Sequence, residues 1–388
     1  MTQPVIQKPF IDFYNLHQIS PVSQDISDLK KHWERRHALY RHCGIPPVLV
    51  KGATVLEIGP GTGHNALYTN SLQPEKYTMV DGARKSVQSL KKLFNSHFSD
   101  ISNCEIIESD IHHFKTDHLF DMVICEGTIP FQKEPQTFLK HISKFVAPSG
   151  LLIITCVDSV SYLSEILRRI ISCLIFHEQN CHEIRDRLSA IKPVFSSHLK
   201  TLKGMSRPVE DWIYDNILQP FIGAYLSVED AVTSLEDTFD VYGSSPHFLL
   251  DWRWYKDIHG QDMSFNGMAK ELYLKNVHNL LDYRFLFDPV EAEAGLRMIQ
   301  LCNQIYTVSI ELQNHGVKKQ PLERLVDILQ RLSLMTDTFS IQTSEAIIEV
   351  SSGVVEFIKK NKFPENNLNR FSSWFGRGQQ YLSFIKRV

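Results

Sequence analysis

Residues 55–66 read VLEIGPGTGHNA: an apolar, strand-like run ends at Ile58, three glycines follow at Gly59, Gly61 and Gly63, and a helical stretch begins after them. Glycine lets a backbone approach a ligand closely and adopt positive φ. A dinucleotide-binding loop is spaced G-x-G-x-x-G, so that a helix N-terminus faces the pyrophosphate. Here the spacing is G-x-G-x-G.

On either side of this loop the chain keeps one rhythm from Ala53 to Cys156. Short β-branched or apolar runs (ATVLEI, KYTMV, CEIIES, FDMVIC, LLIITC) alternate with helical stretches. That is βαβ patterning, and the near-continuous apolarity of each run predicts parallel strands covered on both faces. Upstream, Asp25 to Cys43 reads as a helix whose Leu29, Trp33, His37 and Tyr40 share a face, stopped by GIPP. Downstream of Cys156 the rhythm gives way to a mostly helical region. A strand-like aromatic run, DVYGSSPHFLLDWRWY, interrupts it, and Gly267 to Lys362 is helical again, with breaks at Pro289, NHG and Pro321. The tail alternates Tyr381, Ser383 and Ile385 with Leu382, Phe384 and Lys386, which predicts a last strand returning to the sheet. The expected organisation is a helical cap segment (1–50), a ligand-binding core (51–160), a helical substrate-covering region with a strand near 238–255 (161–370), and the returning strand (371–388).

The glycine spacing resembles the first motif of class I S-adenosylmethionine-dependent methyltransferases, with Glu57 at the acidic position of that motif. The resemblance covers Ala53 to Cys156. It implies a Rossmann-like methyltransferase sheet, and S-adenosylmethionine as cofactor over Gly59, Gly61 and Gly63. Asp81 ends the second strand 22 residues after Gly59, where a carboxylate can accept from both ribose hydroxyls. Asp110, with Ile111 beside it, matches the family position that receives the adenine amino group; helix N-capping is the alternative role. Glu126 and Gly127 close the fourth strand, at the sheet edge where open α/β folds bind ligands, so they are expected near the departing methyl group. The Asn-Pro-Pro-aromatic signature of many adenine, cytosine and glutamine N-methyltransferases is replaced by EGTIPF, which removes support for those substrates.

A sulfonium methyl is already activated, so positioning alone can supply up to ~7–11 kcal/mol of the acceleration. A general base is needed mainly where the nucleophile carries a proton. His64 and Glu126 are the candidate catalytic groups. Tyr14 and His17 are candidate acceptor contacts because N-terminal segments close over the cofactor in this family. Arg207, in MSRPVEDWIYDN, is a third, and with DWRWYK it suggests a polar acceptor on aromatic rings, with a sugar or nucleotide-linked sugar as one form of it. Both segments equally suit a half-buried junction. Cys173, His177 and Cys181, with His182, could be drawn as a metal site, but their apolar neighbours favour a packed helix, and no metal is assigned.

Length and composition bound the rest. With 388 residues the chain exceeds one ordinary core, and 43% hydrophobic and 22% charged residues describe a globular protein. Net charge −3 offers no pull toward a phosphate backbone, so nucleic acid is not an expected partner. MTQPVIQKPF lacks a secretory pattern. Leu151 to Phe176 is broken by Asp158, Glu165, Arg168 and Arg169, so no membrane span is expected. Seven scattered cysteines suit reduced thiols in a cytoplasm. The expectation is a cytoplasmic enzyme, similar to bacterial methyltransferases with a large helical elaboration, transferring a methyl to O or N of a small acceptor. The alternatives are a methyltransferase-like binding module without catalysis and an NAD-dependent oxidoreductase, the latter in conflict with the glycine spacing.

Overall fold

The computed structural model describes residues 13, 16, 17, 24–205, 207–220, 225–364 and 367–388. Seven strands form one sheet in the order β3-β2-β1-β4-β5-β7-β6. They are β1 Thr54–Ile58, β2 Lys76–Asp81, β3 Cys104–Glu108, β4 Phe120–Cys125, β5 Val146–Cys156, β6 Phe239–Ser245 and β7 Gln380–Lys386. The first five are mutually parallel, whereas β7 runs antiparallel to both β5 and β6. Each apolar run of the sequence is a strand, and the tail returns to the sheet beside β5. The aromatic run is a strand only over β6. Past Ser245 it pairs with no strand and from Leu250 it is solvent-exposed, with Trp252 at 93% exposure, so the strand expected to reach residue 255 stops ten residues early.

Helices α1 (Leu29–His42), α2 (Ala66–Ser71), α3 (Arg84–His97) and α4 (Pro135–Ile142) serve the same sheet. Val87, Leu90 and Phe94 of α3 recur at helical spacing and are buried. In α1 the buried residues are His32, Arg36 and Tyr40. The expected face of Leu29, Trp33, His37 and Tyr40 is therefore rotated, and His37 is exposed. The reason is electrostatic: the buried side of α1 carries polar groups with partners far away in sequence.

The chain divides into two compact units, a sheet unit (Met1–Val157, Ile222–Tyr273, Gln379–Val388) and a helical unit (Asp158–Phe221, Leu274–Gly378). Residues 225–273 group with the sheet because β6 belongs to it. The Asn266 side chain also bonds the Val241 N–H and the Phe239 carbonyl at 2.8 Å each, capping an edge strand. The helical unit contains α5 (Leu163–Glu178), α6 (Ile184–Leu199), α7 (Ala292–His315), α8 (Lys319–Asp337) and α9 (Ile341–Lys360). Pro321 does not break α8; it sits in the first turn, where no intrahelical N–H is required. No described helix is long and apolar enough to cross a membrane, and the seven cysteines are free thiols.

Candidate functional site

The C-terminal edge of the parallel strands gathers most of the residues singled out above. Gly59, Gly61 and Gly63 have φ of +69°, +59° and +87°, a region that side-chain-bearing residues avoid. Their N–H groups are committed inside the protein. Gly59 donates to the Val80 carbonyl at 2.8 Å, Gly61 to Asp81 Oδ2 at 3.0 Å and Gly63 to the Pro60 carbonyl at 3.0 Å. A Cβ on Gly59 would lie 2.4 Å from Thr128 Oγ1, and one on Gly63 2.2 Å from Leu90 Cδ1. At these two positions the close approach that demands glycine is to protein, not to ligand.

Asp81, at the end of β2, accepts from Gly61 N–H on Oδ2 and from Ala83 N–H on Oδ1 at 2.8 Å. A carboxylate offers about four lone-pair sites, so one on each oxygen stays open. Burial raises its pKa to about 6 against the lowering effect of these two bonds. Glu57 lies deeper, 3% exposed, and accepts from the Tyr77 hydroxyl of β2. Burial, then the charge of Glu126, raises its pKa to about 7. Glu57 thus ties β1 to β2 beneath the loop and presents no open face to a ligand. Asp110 caps a turn: its Oδ1 accepts from the His112 N–H at 3.0 Å, while Oδ2 lies 3.8 Å from His113 Nδ1. Ile111 is buried, and its carbonyl takes a bond from His141 Nε2 at 3.3 Å.

Glu126 is the centre of an unforeseen network. Arg36 of α1 donates to it bidentately, Nη1 to Oε2 at 2.9 Å and Nη2 to Oε1 at 2.6 Å. Asn65, just past the glycine loop, donates Nδ2 to Oε2 at 3.1 Å. The Glu126 and Arg36 side chains are 10% and 6% exposed, a buried ion pair. His32, one turn before Arg36, donates Nε2 to the His64 carbonyl at 2.9 Å. His64 Nδ1 is paired with Thr62 Oγ1 at 2.6 Å. Gly127 has φ +71° and donates its N–H to Thr155 Oγ1 at 2.8 Å. Sequence reasoning missed His32, Arg36 and Asn65. Nothing in the sequence separates Arg36 from Arg35 and Arg41 of the same helix.

Other expected residues lie elsewhere. Tyr14 falls outside the described residues, and His17 stacks edge-on with Phe13 of its own segment, ring centres 4.7 Å apart. Arg207 belongs to the helical unit and is ion-paired with Asp215 at 2.9 Å. Cys173 is on α5 and burial raises its thiol to about 11, His177 packs on Phe357, and Cys181 falls beyond the end of α5 at Glu178. Cys181 is therefore off the helix that carries Cys173 and His177.

Residues 49–209 match the sequence profile of a methyltransferase domain family. Among curated proteins, pavine N-methyltransferase of Thalictrum flavum subsp. glaucum is 30% identical over 104 residues, 26% of this chain and 29% of that protein. A probable (S)-tetrahydroprotoberberine N-methyltransferase 2 of Papaver bracteatum is 27% identical over 119 residues, 30% of this chain and 33% of that one. The match thus spans about a third of the length of these relatives. A solved N-methyltransferase, NodS of Bradyrhizobium japonicum WM9 with S-adenosyl-L-homocysteine, aligns at TM-score 0.32 and 18% identity, over 38% of this chain and 74% of that one. Over residues 49–209 the chain is thus similar to a methyltransferase domain, and that stretch holds the glycine loop and the acidic strand ends described above.

Proposed function

We propose that the protein is an S-adenosylmethionine-dependent methyltransferase that methylates nitrogen on a small acceptor. The observation that carries the cofactor reading is Asp81. One lone-pair site remains on each oxygen of a half-buried carboxylate that makes no ion pair among the described residues, which suits the two hydroxyls of an adenosine ribose. An NAD-linked reading has the same ribose but also needs N–H donors for a pyrophosphate. The three glycine amides are already bonded within the protein, which favours a cofactor without phosphate. Asp110 Oδ2 would take the adenine amino group, and Gly127 and Ile111 would line the same edge.

Bound S-adenosylmethionine would supply an electrophilic methyl on a sulfonium. The chain's own task is then to hold an acceptor lone pair in line with it. The two candidate bases near the loop exits are both engaged, Glu126 by Arg36 and His64 by Thr62. That suits an amine arriving unprotonated better than a hydroxyl that must lose its proton first. Nitrogen is also the atom in the names of the matched alkaloid N-methyltransferases. None of these relatives supports a sugar acceptor, and the aromatic DWRWYK segment behind that idea stands in solvent.

Calorimetry with S-adenosylhomocysteine tests the cofactor reading, and absence of binding at millimolar ligand by folded protein overturns it. Comparing methyl transfer to secondary amines and to matched alcohols tests the acceptor atom; preference for the alcohols would reverse the nitrogen assignment.

A further inference from the structure

In the sheet order β2-β1-β4-β5, chain connections depart in opposite senses on either side of the β1/β4 pair, and ligands of open α/β sheets bind in the crevice at such a switch point. The exit of β1 carries His64 and Asn65, and the exit of β4 carries Glu126. These are the two walls of the crevice. Asn65 joins them directly through Glu126 Oε2. Helix α1 reaches both: His32 bonds the His64 carbonyl on one wall, and Arg36 grips Glu126 on the other. His32 and Arg36 are four residues apart and so lie on one face, both 5% exposed.

We propose that His32 and Arg36 are positioning residues that set the width of the cofactor crevice. The cofactor site of this chain would then be completed by a helix outside residues 49–209, the part matched by the methyltransferase profile. This rests on the cofactor reading above. Arg36 acts through Glu126. Without the guanidinium, a carboxylate 10% exposed keeps only Asn65 of these two donors and must turn toward solvent, and the β4 wall moves with it. Lysine in place of Arg36 supplies the charge but a single point of contact, so it should restore the wall partly. His32 holds a backbone carbonyl, so its loss should shift the β1 wall less.

The test is S-adenosylhomocysteine affinity by calorimetry on the full chain, with thermal melts confirming folding. Arg36→Met is expected to weaken binding roughly tenfold or more, Arg36→Lys by less, and the double variant Arg36→Met with Glu126→Gln to recover part of the loss, because no unpaired carboxylate remains. Such recovery of affinity is not expected of a residue that only stabilises the fold. In hydrogen exchange, S-adenosylhomocysteine should slow residues 29–42 in the native protein and not in Arg36→Met. If Arg36→Met does not fold, Asn65→Ala and Arg36→Lys take its place, each expected to weaken binding several-fold. Native-like affinity in the folded Arg36 and Asn65 variants overturns the positioning role and leaves the cofactor reading standing. A folded native protein that does not bind S-adenosylhomocysteine overturns both.

Discussion

Two buried arginines show how differently the two units use a charge. Arg36 in the sheet unit meets a carboxylate in a bidentate pair, and its pKa is held well above the usual arginine value despite burial. Arg168 in the helical unit is fully buried and lies against the Phe371 and Phe375 rings, 4.7 and 3.9 Å from their centres. It donates to backbone carbonyls, Trp374 at 2.9 Å and Ser164 at 3.2 Å among them, and burial lowers its pKa to about 10. A pair of opposite charges at a strand exit can set a ligand site, because moving one partner moves the other. A cation held by carbonyls and rings organises only its own surroundings, here the turn after residue 370.

The largest effect should fall on Arg168. Arg168→Ala leaves a cavity and unpaired carbonyls, and should lower unfolding free energy by about 4 kcal/mol. S-adenosylhomocysteine affinity of the protein that remains folded should not change. Denaturant unfolding and calorimetry measure the two quantities, and a drop in affinity without loss of stability would erase the contrast.

Asp81→Ala should do the opposite. Losing two hydrogen bonds to a charged group removes about 3 kcal/mol of binding, roughly a hundredfold in affinity. An affinity within a few-fold of native would remove Asp81 from the ribose role.

The units should also respond to pH with opposite sign. Burial raises Asp81 to about 6 and Glu57 to about 7, whereas the unfolded chain titrates these groups near 4. As pH falls from about 7 toward 4 the folded sheet unit takes up protons first, so these two groups add stability. His32, which burial lowers, opposes them in part. In the helical unit burial, then Arg168, lowers His198 to about 3, and burial lowers His278. Below about 6.5 the unfolded state binds protons that these folded histidines refuse, so they cost the unit stability, and Glu165, raised by burial, opposes them in part at lower pH. Amide exchange at pH 5 and 7, followed separately in β1–β2 and in α5–α6, reads both signs. S-adenosylhomocysteine affinity should fall below pH 6 as Asp81 protonates. Equal responses in the two units, with affinity flat to pH 5, would contradict this reading.

The same contrast explains what could be read from sequence. Strands β1 to β5 were legible because a strand covered on both faces writes itself as an unbroken apolar run, and β7 because its alternation follows a glycine-rich turn. Asp81 was legible because its place depends on local spacing along one βαβ unit. Arg36 was not, since its partner Glu126 lies 90 residues away and nothing in LKKHWERRHALYRH marks that pairing. The apolar stripe was rotated from the buried face of α1, sharing Tyr40 with it and packing Trp33 against the core, but it passed over Arg36. The end of β6 was missed because DWRWYK has strand-like composition, and composition does not report whether a neighbouring strand is present to pair with it.

That segment gives the smallest expected effect. Trp252 is 93% and Trp254 57% exposed, and Trp254 carries the Lys256 ammonium over its ring at 5.0 Å. An exposed cation–π contact contributes about 0.5–1 kcal/mol, and a ring already in solvent has little burial to lose. Trp252→Ser should therefore change unfolding free energy by no more than about 0.5 kcal/mol, and Trp254→Ser by no more than about 1 kcal/mol. Neither should alter S-adenosylhomocysteine affinity, since no residue of this loop bonds to the glycine loop, Asp81 or Glu126 in the interactions described. A larger loss of stability would mean that these rings are covered in solution and belong with the packed part of the sheet unit. The contrast would then be between paired and unpaired charge alone, and the exposed aromatic loop would no longer mark where the sheet's packing ends.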